Sequence, residues 1–416
     1  MLPNDPFSRR TALRAGLASL IAPGLSRAEP GGDDLGFDLK EEAGIRRFGY
    51  PVHTVFPGLA SGPPYRLSKN GRDIPAQFRP IAGGEGEGGV SLDFNASLGP
   101  HETERYVVHP VKGGGEDAGP REGIRVENSP RTVRVSNGTV LSYAVPDDLL
   151  GFLNGVANAR LEFLREGSGG LMIRYRDDIH YRVGGKGPEG VPTRTRVTRE
   201  GPIAAAIRFE SLEALRGERS VRSAVEMTFP NSKSWVETSW RVEDPEGYVA
   251  GLGLDLRLGL DPRPTLVDLG AGSQVYSTLR GRERIELVAG TAPGLTGGGR
   301  PWVVRRGEPD RLTPFVEAPG PDAPKAEGWA HVMDATRCTA AAVGGFGRAT
   351  RDRIIVDTDG RMQLWRDFAG EGASPPKGPK TLTFWLHFVT MPVQVGAVTS
   401  PQSMLAPLKV EWRGAT

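Results

Sequence analysis

The stretch "LMIRYRDDIHYRV", residues 171–183, concentrates side chains that could bind an acid and move a proton. Read as one β-strand, it points successive side chains to opposite sides, so one side is apolar and the other is polar. The polar side would carry Arg174, Arg176, Asp178, His180 and Arg182. Guanidinium groups can bind a carboxylate through two parallel hydrogen bonds, and an imidazole transfers protons near neutral pH. This pattern suits an acidic sugar.

Two alternatives apply to the same stretch. A turn at Asp177-Asp178 would change which residues share a face. A solvated sheet face with a cross-strand acid pair would have the same composition and no ligand. We therefore predict Arg174, Arg176, His180 and Tyr181 as catalytic residues and keep the solvated face as the alternative.

The stretch "SVRSAVEMTFPNSKSWVETSWRVEDPEG" predicts a β-hairpin with its turn at residues 230–233. Alternation places apolar residues on one side of the hairpin. The other side carries charged residues and one tryptophan, namely Arg222, Glu226, Trp235, Glu237 and Arg241. In many sugar sites a tryptophan stacks on the ring while charged groups fix the hydroxyls, so Glu237 and Arg241 are catalytic candidates and Trp235 is a substrate-binding candidate. A soluble outer face has the same pattern.

A third set of candidates consists of aromatic and imidazole side chains, namely Trp329, His331, Trp365 and His387. Trp365 alternates with Gln363 and Asp367, and His387 alternates with Trp385, so polar neighbours project from the same side of each strand. We predict substrate binding by His331, Trp365 and His387. A buried histidine held by one hydrogen bond is the alternative for each of the two histidines.

Motifs for metal and nucleophile chemistry are absent from the sequence. The six histidines form no i,i+4 pair and no His-Glu-x-x-His, and there is no Gly-x-Ser-x-Gly and no Gly-Lys-Ser phosphate loop. The glycine-rich "GLTGGG" and "GGFG" lack the strand-to-helix context of a dinucleotide site. We expect no metal site and no cofactor, and we leave a structural or catalytic calcium ion open.

The elements that position these candidates are predicted to be β-strands. The 57 glycines and 35 prolines separate short runs with period-two alternation, such as "RTVRVSNG", "RIIVDTDG" and "TLTFWLHFV". Sustained helical periodicity is missing. We predict an all-β protein in which a small unit at residues 36–112, a glycine-rich linker at 113–123 and a large antiparallel β-sandwich at 124–416 follow one another.

The N-terminus has the zones of a twin-arginine export signal. Arg9 and Arg10 precede a modestly apolar run that ends in the small-x-small sequence Ser26-Arg27-Ala28. We predict cleavage after residue 28, the twin-arginine translocon as a transient partner, and a periplasmic or extracellular location without stable membrane insertion. The single Cys338 allows no intramolecular disulfide, and a net charge of +2 argues against nucleic acid as a partner.

The sequence resembles a known family in its N-terminal part. The segments "LKEEAGIRRFGYPVHTVFPGLA", "LSKNGRDIPAQFRP" and "GGVSLDFNASLGPHETERYVV" are similar to the N-terminal β-barrel domain of the exo-rhamnogalacturonan lyase-like proteins. The residues that carry the resemblance are Glu41, Glu42, Gly44, Arg47, Pro51, Val52, Gly71, Pro75, Gln77, Asp93 and Phe94. The later segments "GWAHVMDATRCTAAAVGGFG", "IIVDTDGRMQLW" and "KTLTFWLHF" are similar to the terminal sandwich of these proteins, which belongs to the galactose-mutarotase-like class of supersandwiches.

The resemblance implies an exported polysaccharide lyase or a relative, without an obvious central helical toroid. Eliminative cleavage of a uronic-acid glycan needs a cation at the C6 carboxylate, a base for the C5 proton and an acid for O4. Arg174, Arg176 or Arg241 would supply the cation, and His180 or Tyr181 would transfer the protons. Two alternatives stay open: a non-catalytic module that holds a polysaccharide or oligosaccharide, and a sugar epimerase.

Overall fold

A computed structural model of the chain describes residues 35–57, 64–81, 89–111, 123–138, 141–185, 195–216, 219–261, 265–292, 294–296, 299–370, 372–391 and 401–413. Nearly all regular structure in these residues is β, in several antiparallel sheets, which confirms the predicted all-β class. None of the helices in these ranges is long and apolar enough to cross a membrane. The predicted export signal at residues 1–28 lies outside the described residues.

The strands are numbered in chain order. The first part of the chain contains β1 Leu35–Lys40, β2 Arg47–Pro57, β3 Tyr65–Lys69, β4 Arg72–Ile74, β5 Ala76–Ile81, β6 Gly89–Leu98 and β7 Thr103–Pro110. The second part contains β8 Ile124–Ser129, β9 Thr132–Asn137, β10 Ser142–Pro146, β11 Gly155–Ala157, β12 Gly170–Tyr175, β13 His180–Arg182, β14 Thr195–Arg199, β15 Ala204–Leu215, β16 Arg219–Pro230, β17 Trp235–Glu243, β18 Val249–Arg257, β19 Thr265–Gly270, β20 Gln274–Leu279, β21 Arg284–Ala289, β22 Trp302–Glu308, β23 Arg311–Glu317, β24 Trp329–Met333, β25 Arg337–Val343, β26 Arg351–Asp357, β27 Arg361–Asp367 and β28 Lys380–Thr390. A short helix, α1 Pro401–Leu405, and β29 Lys409–Trp412 follow.

The chain divides into two units, Met1–Pro120 with Leu408–Thr416, and Arg121–Pro407. The smaller unit has a five-stranded sheet, β29-β1-β7-β3-β4, and a three-stranded sheet, β2-β6-β5. The last strand pairs with the first, so Trp412 lies opposite Phe37, and its ring packs 4.1 Å from that of Phe56. The large sandwich was predicted to run to residue 416. In the structure the final strand, β29, belongs to the smaller unit, where Trp412 packs against the aromatic side chains of its core.

The residues behind the family resemblance make structural contacts in the small unit. Arg47 donates to the buried carboxylate of Glu41 at 3.0 Å, and the same carboxylate accepts the backbone amides of Ala43, Ile45 and His101. Burial opposes ionisation of this carboxyl, but its hydrogen bonds lower the pKa of Glu41 to about 2. The presence of Glu41 and Arg47 in the resembling segment is therefore explained by a folded loop and a buried ion pair.

The larger unit contains two broad sheets that share one core. The eight-stranded sheet has the order β13-β12-β18-β27-β26-β21-β22-β23, and the nine-stranded sheet has the order β14-β15-β16-β17-β28-β25-β24-β19-β20. Their inner residues, such as Leu254 and Leu364 of the first and Trp240 and Phe384 of the second, are fully buried in one cluster. A four-stranded sheet, β11-β10-β9-β8, adds residues to the same core. The face of each broad sheet turned away from this core is called its outer face below.

The alternation that buries one side of each strand also decides what the outer faces carry. The predicted hairpin is confirmed, because β16 and β17 pair with Thr228 opposite Glu237 across a turn that follows Pro230. Within this hairpin the inward-pointing residues are buried, while Glu237 lies on the outer face. The outer faces are therefore where polar and aromatic side chains collect.

Candidate functional site

Arg174 and His180 lie next to each other on the outer face of the eight-stranded sheet. The stretch predicted as one strand is a hairpin: the amide of Asp178 donates to the carbonyl of Tyr175 at 3.0 Å, and Asp178 has φ +66°. Short polar residues such as Asp tolerate this left-handed conformation, so the sequence allows a tight turn here. The pairing of β12 with β13 then puts His180 directly opposite Arg174.

Trp365 provides the surface on which His180 rests. The two rings have centroids 5.0 Å apart, and Trp365 is only 5% exposed. The indole covers the neighbouring strand at Gly253, where a Cβ would stand 2.5 Å from the ring. The glycine is therefore required for the tryptophan to lie flat on the sheet and support the imidazole.

Asp367 holds three arginines on the same face. Its carboxylate is fully buried and lies 3.1 Å from Arg174, 2.7 Å from Arg351 and 3.4 Å from Arg353. Their side chains are 9%, 34% and 20% exposed respectively, so Arg351 is the most accessible. Charge-assisted hydrogen bonds of this kind fix guanidinium groups in one geometry. We call this group of residues the arginine face, comprising Arg174, His180, Arg351, Arg353, Trp365 and Asp367.

The environment of His180 favours its neutral form. Burial of the ring is the largest cause that lowers the pKa of His180, and the positive charges of Arg174 and Arg353 lower it further, while Asp178 acts in the opposite direction. An imidazole whose pKa is lowered in this way is neutral at neutral pH and can accept a proton. The arginine face thus combines fixed cations with a candidate base.

Arg182 extends the arginine face along β13. It is exposed, lies opposite Met172 in the register, and shares the outer face with His180. Its guanidinium makes no hydrogen bond or ion pair with another residue of the described ranges. Unlike Arg174, which is bound to Asp367 and to the carbonyls of Ala250 and Ala369, it is available to an anionic ligand.

Tyr181 and Arg176 are not brought to His180. The Tyr181 ring packs against the core, and its hydroxyl accepts the amide of Arg216 at 3.0 Å. Arg176 lies beyond the end of β12, over the rings of Tyr175 and Tyr248. Of the two residues predicted to transfer protons, His180 or Tyr181, only His180 lies on the outer face, because neighbouring residues of a strand point to opposite faces.

The other predicted residues lie on the outer face of the nine-stranded sheet. Trp235 is opposite His387, with ring centroids 6.0 Å apart, and His387 and His331 both lie opposite Ala340. Burial lowers the pKa of His387 to about 3, with smaller contributions from Lys233 and His331. The candidates therefore divide between two faces of one sandwich, and of the substrate-binding set only Trp365 accompanies His180.

Glu237 and Arg241 share that second face but are separate from the histidine pair. Glu237 is exposed and lies opposite Trp385, and Arg241 pairs with Glu243 at 2.6 Å. An ion pair between exposed side chains of one strand is ordinary surface structure. The structure gives neither residue a contact with the arginine face.

Three members of the arginine face were missed by the sequence analysis: Arg351, Arg353 and Asp367. A signal was present, since Arg351 and Arg353 alternate in "RDRIIVD" and Trp365 alternates with Asp367 in "MQLWRDF". Each pattern alone describes an ordinary strand, and only the pairing of β26 with β27 joins them. Among the described residues, no group of three or more His, Cys, Asp or Glu residues is placed to hold a metal ion.

Comparison with known proteins gives structural neighbours. No family model matches the chain, and no curated protein matches its sequence. A protein in glycosyl hydrolase family 38 and an alpha-mannosidase, both from Enterococcus faecalis, superpose with TM-scores of 0.56 at 9% identity over 92% and 96% of this chain. A candidate aldose 1-epimerase from Escherichia coli K12 gives a TM-score of 0.33 at 11% identity over 65% of this chain and 100% of its own.

The two Enterococcus faecalis structures support the fold. The chain spans 48% of the length of each of the two Enterococcus proteins, and 9% identity shows shared architecture alone. The resemblance to the exo-rhamnogalacturonan lyase-like proteins is not confirmed as family membership. Its all-β expectation agrees with the fold.

Proposed function

We propose that this chain acts on uronic-acid-containing glycans by β-elimination at the arginine face. The observation that carries the proposal is the position of His180, next to fixed arginines and supported by Trp365. A uronate has a carboxylate for a guanidinium and an acidic C5 proton for a neutral imidazole. The proposal needs no group beyond those of the chain and its substrate.

In the proposed reaction, each side chain has a role that its position supports. Arg182 binds the C6 carboxylate of the reacting sugar, which stabilises the negative charge that develops when C5 loses its proton. His180 takes that proton, the electrons of the C5–H bond form the C4–C5 double bond, and the C4–O4 bond breaks. Because Tyr181 faces the core, the proton on His180 returns to the leaving O4, so both transfers occur on one side of the sugar. Arg351 binds the carboxylate of a neighbouring sugar.

A non-catalytic glycan-holding module is the second candidate. It is favoured by Asp367, because one buried carboxylate already occupies much of the hydrogen-bonding capacity of three arginines. Such a surface would bind an acidic glycan through Arg182 and Arg351 without removing a proton. An epimerase would need a second proton-transfer group on the same face, and Tyr181 does not supply it.

The test is incubation of the mature protein with a panel of pectic and other uronic-acid polysaccharides, with direct binding measured alongside. Formation of the unsaturated product is followed by ultraviolet absorbance. We expect His180→Ala to lower kcat by roughly 10²- to 10⁴-fold, the usual contribution of a general base. Arg182→Ala and Arg351→Ala should raise KM.

The matched control is Arg241→Ala, an arginine on the other outer face that should leave both kinetic constants unchanged. If the His180→Ala variant still forms the unsaturated product, the active site lies elsewhere. Binding without product would favour the holding module, and neither binding nor product would overturn the proposal.

We also propose that the protein is exported in the folded state by the twin-arginine route to the periplasm or the exterior. The support is the Arg9-Arg10 pair ahead of its apolar run and small-x-small ending. Replacing both arginines by lysine should trap the precursor in the cytoplasm, as fractionation with an antibody would detect. Unchanged export of this variant would contradict the proposed route.

A further inference from the structure

A groove of about 560 Å³ lies at the β19–β20 end of the nine-stranded sheet, within the larger unit. Leu266 and Met333 form an apolar floor, and Tyr276 stands beside it. Tyr276 is 66% exposed and Leu266 is 39% exposed, on neighbouring strands. An exposed aromatic ring beside an apolar groove offers a flat face on which the apolar face of a ligand can stack.

A polar pair stands next to this groove on the same face. The register puts Asp268 opposite both Tyr276 and His331, and it puts Leu266 opposite Met333, two residues along. Nδ1 of His331 lies 3.4 Å from Oδ2 of Asp268. With Nδ1–H donated to the carboxylate, Nε2 is the ring nitrogen left for a hydrogen bond with a ligand. The side chain of His331 is 24% exposed, so a ligand can reach it.

The carboxylate of Asp268 has one oxygen that could accept a further hydrogen bond. It is 3% exposed; its Oδ2 accepts a hydrogen bond from the side-chain amide of Gln274 at 2.8 Å, while its Oδ1 has no hydrogen-bond partner among the residues that the structure describes. Buried carboxylate oxygens are nearly always hydrogen-bonded, so this oxygen calls for a donor such as an ordered water. The pair thus places an imidazole and a negative charge beside the groove, and the negative charge disfavours a ligand that carries a carboxylate.

The charges around the groove balance, in contrast to the arginine face. Arg306 is held by Glu283 at 2.8 Å. The other arginine of the groove, Arg280, lies close enough to the same Glu283 to interact with its charge. Asp268 adds a second carboxylate to this face. A groove with an exposed aromatic ring, an imidazole beside it and as many carboxylates as guanidinium groups around it has the chemistry that recognises an uncharged sugar.

We propose that this groove is a second carbohydrate site that binds a neutral pyranose ring, stacked on Tyr276 with its hydroxyls directed to His331 and Arg280. It is independent of the proposed elimination, because no residue is shared with the arginine face. A glycan that carries both neutral and acidic sugars could be held at both sites, and two linked contacts bind more tightly than either alone.

The experiment is affinity electrophoresis of the mature protein in native gels that contain dextran, galactan or mannan, which carry no uronic acid. We expect retardation in at least one of the three gels. Tyr276→Ala should weaken that binding by about tenfold, the loss expected from one aromatic stacking contact. His331→Gln should weaken it by a smaller factor, because the amide keeps a polar group but loses the oriented ring nitrogen.

The matched control is Phe48→Ala, which removes a 52% exposed aromatic ring from β2 of the smaller unit and should leave retardation unchanged. The His180→Ala variant should also bind the neutral polymer normally. A failure of the elimination proposal can therefore be distinguished from a failure of this one. If none of the three polymers slows the migration of the unaltered protein, the proposal is overturned. Equal retardation of Tyr276→Ala and the unaltered protein would overturn it as well.

Discussion

Each of the two outer faces of the larger unit carries a buried polar side chain, but the two faces stabilise that side chain in different ways. On the eight-stranded sheet, the buried carboxylate of Asp367 is surrounded by three guanidinium groups. On the nine-stranded sheet, the buried side chain of His387 has no ion pair among the described residues and stays neutral because its pKa is about 3. A charge can be buried only with partners, whereas an imidazole can be buried by giving up its charge.

The two faces accommodate a tryptophan in the same way. Trp365 lies over Gly253 on β18, and Trp329 lies over Gly270 on β19. In each case the glycine, which has no side chain, leaves room for the indole of the neighbouring strand. The faces therefore differ in their charged groups more than in their backbone, and the following variants test that difference.

Asp367→Asn should have the largest effect on stability. The substitution keeps the size of the side chain but leaves three arginines without their shared carboxylate, and removing one partner of a buried ion pair costs about 4 kcal/mol. The free energy of unfolding in urea measures this loss.

Asp268→Asn is the comparison for that variant. Asp268 is also buried, but among the described residues it contacts the side-chain amide of Gln274 and the imidazole of His331 and forms no ion pair with an arginine. We expect it to cost less than half as much as Asp367→Asn. Equal losses would show that the two faces do not differ in the way their charges are held.

Gly253→Ala and Gly270→Ala should each cost about 3 kcal/mol, the upper end of the range for overpacking. The added Cβ would meet the ring of Trp365 in the first variant and that of Trp329 in the second. Because His180 rests on Trp365, only the first should also disturb the imidazole resonance of His180. Gly281→Ala is the control for space, since a Cβ at Gly281 meets nothing within 4 Å, although its φ of +63° adds strain.

The sequence was sufficient to predict the elements because strand formation leaves a local signal. The alternation in residues 219–243 predicted both strands of a hairpin, their turn and their buried side. The contact of Arg174 with Asp367 joins residues 193 positions apart, and nothing near either residue indicates the other. Period-two patterns report which side of a strand is buried but not which strand is its neighbour.

The candidate site was predicted in part for the same reason. Arg174 and His180 share a face, as alternation suggested, but they do so across a turn, and that turn removes Arg176 from the group. Trp235 and His387 came from separate stretches and meet through the register of β17 and β28. The final strand, β29, was assigned to the sandwich because its pairing with β1 spans nearly the whole chain.

Acid should destabilise the protein through His387. Its pKa in the folded state is lowered from the ordinary 6.5 to about 3, so the unfolded chain binds a proton that the folded chain does not. The resulting stability is complete above pH 6.5 and is lost as the pH falls towards 3, by about 2 kcal/mol at pH 5. Urea unfolding at pH 7 and pH 5 should show a smaller pH dependence for His387→Gln than for the unaltered protein, and equal slopes would contradict the buried neutral imidazole.

Asp178→Asn should have the smallest effect on stability and a specific effect on His180. The side chain of Asp178 is 78% exposed, and its ion pair with Arg174 at 3.4 Å is worth less than about 1 kcal/mol. Asparagine also tolerates the φ of +66° at this position, so the turn should persist. The negative charge of Asp178 raises the pKa of His180, so its removal should shift the NMR titration of His180 to lower pH. The titration of His387, on the other face, should not move, and a shared shift would mean that the two faces are electrostatically coupled through the core.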